Sequence, residues 1–145
     1  MQVDRDREAL SAPEVHQGAE LGHSPVGNVL RDAELRLRRR ASRVDDMIVF
    51  SEAESRWLTS LAALEGVPDD IERVAEGILW DAEMEAARAF MWTPAPRLSD
   101  LPRKLRVIER EADEVANAYR CGKTLTEWLA IFRADALRLL ARQAD

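Results

Sequence analysis

Cysteine and histidine are nearly absent from this 145-residue chain: there is one cysteine, Cys121, and two histidines, His16 and His23. A lone thiol excludes an intramolecular disulfide and suits a reducing compartment. With no histidine beyond position 23, the body of the chain offers nothing for a histidine-activated nucleophile. A zinc site and the Glu-x-x-His pattern of di-iron bundles are equally unsupported. No apolar run approaches the roughly 20 residues that span a bilayer. The opening MQVDRDREAL mixes both charge signs, unlike a secretory signal. A soluble, cytoplasmic chain with no membrane partner is expected. No segment alternates at period two between turn signals, so no sheet is expected either.

What remains is helical pattern. Residues 1–27 hold three of the six glycines, two prolines and both histidines, without periodicity, and read as a disordered or weakly ordered tail. Residues 28–145 read as a single helical-bundle domain. Its first region opens near Asn28 and carries the stripe Leu30, Ala33, Leu37, Ala41, Val44, Ile48. Ser51 with Glu54 is a possible capping box, leaving open whether 28–65 is one helix or two. Gly66 and Pro68 form a common stop. Asp69 is the expected cap of the next helix, whose stripe is Ile71, Val74, Ala75, Ile78, Ala82, Ala86, Ala89 up to the Thr93-Pro94-Ala95-Pro96 break. Ser99 is expected to cap a third helix with Pro102 in its first turn and the stripe Leu101, Leu105, Ile108, Ala112, Val115, Tyr119. A last helix carries Leu125, Trp128, Leu129, Phe132, Ala136, Leu139 and Leu140. Four stripes joined by short connections predict an all-α fold, an antiparallel bundle of about four helices.

Gly122-Lys123-Thr124 resembles the end of a phosphate-binding loop. That loop needs a glycine five positions earlier and a preceding strand, whereas Asn117 and an amphipathic helix stand there. The better reading is a helix–helix corner: Gly122 tolerates positive φ at a helix end, and Thr124 with Glu127 forms a capping box. A DNA-binding helix-turn-helix is disfavoured, because Lys123 stands where an apolar residue belongs and the following helix runs too long. Cys121 lies beside a helix end, a position that raises rather than lowers a thiol pKa.

The carboxylates Glu109, Glu111, Asp113 and Glu114 alternate with Arg106 and Arg110 at helical spacing, as a solvated face does. No catalytic residue, metal ligand, cofactor or small-molecule ligand is indicated. Two features rise above this background. Trp80, Met84, Ala87 and Met91 fall opposite the Ile71/Ile78/Ala82 stripe, making the end of that helix apolar on two sides. Together with Trp92, the residues Trp80, Met84 and Met91 form a candidate protein interface, for a protein partner or a second copy. Arg36, Arg38, Arg39, Arg40 and Arg43 form a basic run on a chain of net charge −6. They are the alternative candidate surface, for nucleic acid. Arg-Arg-Arg-Ala-Ser42 also has the form of a basophilic kinase site.

The passage from Thr93 to Leu105, TPAPRLSDLPRKL, resembles a segment of small uncharacterised helical proteins of proteobacteria. In those proteins a long helix ends in Thr-Pro-Ala, a Leu-x-x-Leu-x-x-Lys-Leu helix follows, and a final helix closes the chain. The likeness covers about residues 69–141, with departures at Pro96 and Pro102. It implies a helical fold and a small accessory protein of bacterial or mobile-element origin. No activity is established for them, so no site residue carries over. The sequence reading therefore ends at a non-catalytic helical module acting by protein interaction or self-assembly.

Overall fold

The computed structural model describes residues 25–145. The tail expected over residues 1–27 lies outside the described residues except for its last three, which are helical. Among the described residues four α-helices follow one another, α1 (Pro25–Glu65), α2 (Arg73–Trp92), α3 (Leu101–Ala116) and α4 (Lys123–Ala144), with a 3₁₀ turn at Leu98–Asp100. No strand occurs among the described residues, and the fold is all-α. Contacts divide the chain into Met1–Ala41 and Ser42–Asp145. The described part of the first unit is the start of α1, where every residue from 28 to 41 is exposed. The second unit is a bundle of the rest of α1 with α2, α3 and α4.

α1 is one helix of 41 residues, with no break at Ile48–Phe50. Its buried residues are Phe50, Trp57 and Leu64, seven apart and therefore on one side. At 100° per residue that side is opposite the Leu30–Leu37–Val44–Ile48 stripe, which is exposed. The correction has a volume argument behind it. Phe50 and Trp57 bury large rings, and Phe90 of α2 meets both, at centroid distances of 5.0 Å and 6.0 Å. Such pairs add about 0.5–1.5 kcal/mol each beyond their buried area.

The same inversion occurs on α2. Ala87, Phe90 and Met91 are fully buried, whereas Val74 and Ile78 of the expected stripe are 74% and 63% exposed. α3 buries Leu101, Lys104, Val107, Ile108 and Glu111, while Leu105 and Tyr119 stay exposed. On α4, Trp128 and Leu139 are core as expected, but Asp135 takes a buried position too.

Several caps differ from expectation. Asp69 and Asp70 form the middle of a turn closed by Ile71 N–H on the Pro68 carbonyl (3.1 Å), and α2 opens only at Arg73. At α3 the N-cap position belongs to Asp100 rather than Ser99, and its carboxylate accepts from Arg97 and Arg103 instead of the backbone. At α4 Gly122 occupies the N-cap position with φ −71°, and no Thr124 capping bond forms.

The left-handed residue of the α3–α4 corner is Ala118, φ 60°. Tyr119 N–H bonds the Glu114 carbonyl (2.9 Å) and Ala118 N–H bonds that of Val115 (3.0 Å). This is a Schellman ending, a position that ordinarily takes glycine. Because a Cβ in left-handed backbone costs about 1–2 kcal/mol, Ala118→Gly should raise unfolding free energy by roughly 1 kcal/mol in urea denaturation. A neutral or destabilising result would place the strain elsewhere.

Candidate interaction surfaces

Lys104 is fully buried, and its partner residues Met91 and Asp135 are buried as well. Its Nζ donates to the Met91 carbonyl (2.7 Å) and to Asp135 Oδ2 (2.5 Å). Asp135 also accepts from Ala95 N–H (3.1 Å) and from Arg138, which in turn donates to the Ala95 carbonyl (2.6 Å). α3, α4 and the end of α2 thus meet at one ion pair. Burial pushes Lys104 down from its ordinary pKa, and Asp135 only partly offsets this. Burial would push Asp135 up, but Lys104, the Ala95 N–H and Arg138 outweigh it and hold the carboxyl below its ordinary value. The two directions pull apart; three donors on one carboxylate favour the ionised pair.

A second charged cluster ties α2 and α3 to α1. Glu83, 2% exposed, accepts from Trp57 Nε1 (2.9 Å) and Arg110 Nε (3.2 Å). Arg120 pairs with buried Glu111 (2.7 Å). Burial raises the Glu111 carboxyl above its ordinary value against the opposing pull of Arg120. Glu111 and Arg110, expected on a solvated face, are instead drawn inward, Glu111 buried against Arg120 of the α3–α4 corner and Arg110 reaching Glu83 of α2. Arg103 makes a two-pronged bond to Glu54 (2.8 and 2.9 Å) and lies 4.8 Å over the Phe50 ring. Each buried carboxylate is committed to a cation, which gives these clusters a structural role. Among the described residues, no group of three or more His, Cys, Asp or Glu side chains is placed to hold a metal ion.

The candidate interface on α2 does not form one surface. Trp80 is half-buried between the guanidinium groups of Arg110 (5.6 Å) and Arg120 (5.2 Å). Met84 packs against the core and Met91 is wholly inside it. Only Trp92 is well exposed, at 61%, beside a hollow lined by Glu127, Ala130, Ile131 and Ala134. Large side chains took the inward face, because burying a ring or thioether contributes more than burying alanine.

The alternative candidates, Arg36, Arg38, Arg39, Arg40 and Arg43, are all exposed. Arg38 pairs with Glu34 (2.6 Å), a contact of little energetic weight at the surface. Arg36 to Arg40 fall in the first unit and Arg43 in the second, where Arg43 lines a hollow with Arg97 and Arg142. No helix among the described residues is long and apolar enough to cross a membrane.

The surface that stands out is the outer face of α1. Val26, Leu30 and Leu37 in the first unit, and Val44 and Ile48 in the second, are between 50% and 70% exposed, all at positions of the stripe that the helical spacing marks. A groove of about 680 Å³ lies between the later part of α1 and α2, with Ala53, Ala82, Ala86 and Ala89 in its lining and Glu52 and Glu85 beside them. The spacing of α1 showed the stripe; that it stays uncovered came only from the packing of Phe50 and Trp57.

Lys104→Met should cost about 3–5 kcal/mol by urea denaturation, since it leaves Asp135 buried with its chief partner gone. Adding Asp135→Asn should recover part of that loss; strict additivity would dissolve the pair as a coupled unit. The acid limb of stability offers a second check. Hydrogen bonding to Arg97, then to Arg103, holds Asp100 below its ordinary pKa against burial. A depressed folded pKa means this stabilisation is present above about pH 4 and lost as pH falls through the folded value. Asp100→Asn should therefore lower stability at neutral pH and make the acid limb shallower. An unchanged slope would uncouple Asp100 from folding.

No family model, curated protein or solved structure matches the chain, so the function rests on these surfaces.

Proposed function

We propose that the protein is a non-catalytic helical module that acts by association, with the exposed face of α1 as its working surface. The observation that carries this reading is the uncovered stripe from Val26 to Ile48. Helices in water owe most of their stability to an apolar face packed against something. Each large aliphatic side chain on the stripe would contribute about 1.5–3 kcal/mol on full burial. Five of them along one helix are far more than scattered surface residues. Contiguous apolar surface rimmed by charge is the pattern of an interaction site.

Nucleic acid is the second reading, favoured by the exposure of all five arginines of the run. Exposed guanidinium groups meeting phosphates would release counterions and make binding fall steeply with salt. Labelled-duplex anisotropy at two salt concentrations decides it. Salt-sensitive binding lost on replacing Arg38, Arg39 and Arg40 with glutamine supports the reading; absence of binding at low salt removes it.

Hydrogen exchange tests the association module directly. In dilute protein, amides of residues 26–46 should exchange at least about 100-fold faster than those of Trp57 to Leu64. They should slow when a binding surface is supplied, either by concentrating the protein or by adding a partner. Core-level protection of 26–46 in dilute monomer would show that the face needs no partner, and the reading would fall.

A further inference from the structure

We propose that the exposed α1 stripe of one copy seats in the α1–α2 groove of a second copy, and reciprocally, to form a two-fold symmetric dimer. The inference rests on the association reading and identifies its partner as the chain itself.

Two apolar faces that the sequence pattern marks for burial are left uncovered. One is the α1 stripe, with Leu30, Leu37 and Val44 alternating with Ala33 and Ala41. The other is the α2 face of Ile78, Ala82 and Ala89, of which Ala82 and Ala89 line the groove beside half-buried Ala86. Their shapes are complementary. The groove's alanines, Ala53 among them, carry no atom beyond the β-carbon, so a helix bearing leucine and valine can approach without clash. Helix packing at about 8–10 Å needs such large-into-small contact. The α1 wall of the groove, Val49 to Ser60, runs about 17 Å at 1.5 Å per residue, room for about three turns of an incoming helix.

Charge selects this pairing over the simplest rival. Residues 25–41 carry five arginines against Asp32 and Glu34, a net charge of +3. Ser42–Asp145 carries fourteen basic and twenty acidic residues, a net charge of −6. Stripe on stripe would set one arginine-rich segment against another. Stripe in groove brings arginines to a surface whose lining includes Glu52 and Glu85, with Arg56 as its only basic residue. At 100° per residue, Arg36 and Arg40 flank the stripe on one side and Arg31 and Arg38 on the other, so both groove walls meet a cation. A closed two-fold arrangement uses both faces of both chains and leaves no open end.

The test is sedimentation equilibrium of the full chain from about 1 to 200 µM. The stripe variant is Leu37→Lys with Val44→Lys; the groove variant is Ala82→Arg with Ala89→Arg. All four positions are exposed, so helicity by circular dichroism should be unchanged. The wild-type chain should dimerise, and each variant should weaken the dimer at least about 100-fold. Mixed together, the two variants should form a one-to-one complex, because one of the two contacts is then intact. A wild-type monomer across the whole range overturns the inference, with the association reading still judged by hydrogen exchange and another protein as partner. A dimer lost in the stripe variant but kept in the groove variant overturns the groove assignment alone. A dimer that survives the stripe variant defeats the inference and the working surface together.

Discussion

The second unit is organised around one ammonium group. Lys104, with no exposed surface, reaches from α3 to the last turn of α2 through the Met91 carbonyl and to α4 through Asp135. Asp135 then accepts from the Ala95 N–H, and Arg138 donates to the Ala95 carbonyl. This gives the Thr93–Pro96 corner its hydrogen bonds. Proline at 94 and 96 brings no N–H of its own, so the corner depends on side chains for its pairing. In a low-dielectric interior the pair is strong while intact and costly once broken, which makes it a device for one arrangement of three helices rather than for raw stability.

The attachment of α1 follows different chemistry. Among the described residues, the ring contacts and ion pairs that tie it to other helices begin at Phe50 and continue through Ser51, Glu54, Trp57 and Glu65. Aromatic bulk does the filling, and the Trp57 indole N–H finds its partner in Glu83 rather than being stranded. Before Phe50 the same helix presents aliphatic side chains to solvent. A 41-residue helix that packs through only its later turns is an uneven use of an amphipathic element. That unevenness sets the functional reading. The proposed association rests on the exposure of those aliphatic side chains.

Much of the local structure was legible in the sequence. The stop at Gly66–Pro68 and the break at Thr93–Pro96 fall where the sequence puts them, through backbone chemistry that acts within a few residues, whereas the corner before α4 turns at Ala118 and not at Gly122. The phosphate-loop likeness of Gly122-Lys123-Thr124 gave way to a corner on the same local grounds. Caps were read less well: Asp69 falls in a turn before α2, and no side-chain capping bond forms at the start of α2, α3 or α4. At α3 two arginines take the Asp100 carboxylate instead. The spacing of Phe50, Trp57 and Leu64 was a visible signal for the true inner face of α1, but aliphatic residues on the opposite side masked it.

Sequence alone determined that the chain is helical, where its helices break, and that α2 carries two faces able to be buried. Period and punctuation are local properties, and they carry that much. Which face turns inward was decided by tertiary structure, since side chains from α3 and α4 must supply volume and charge to meet it. Met91 became core because Lys104 and Phe90 surround it, and Lys104 could be buried because Asp135 lies 31 residues away on another helix. Long-range pairing of buried charges has no period along the chain. It exists only once the helices are placed side by side.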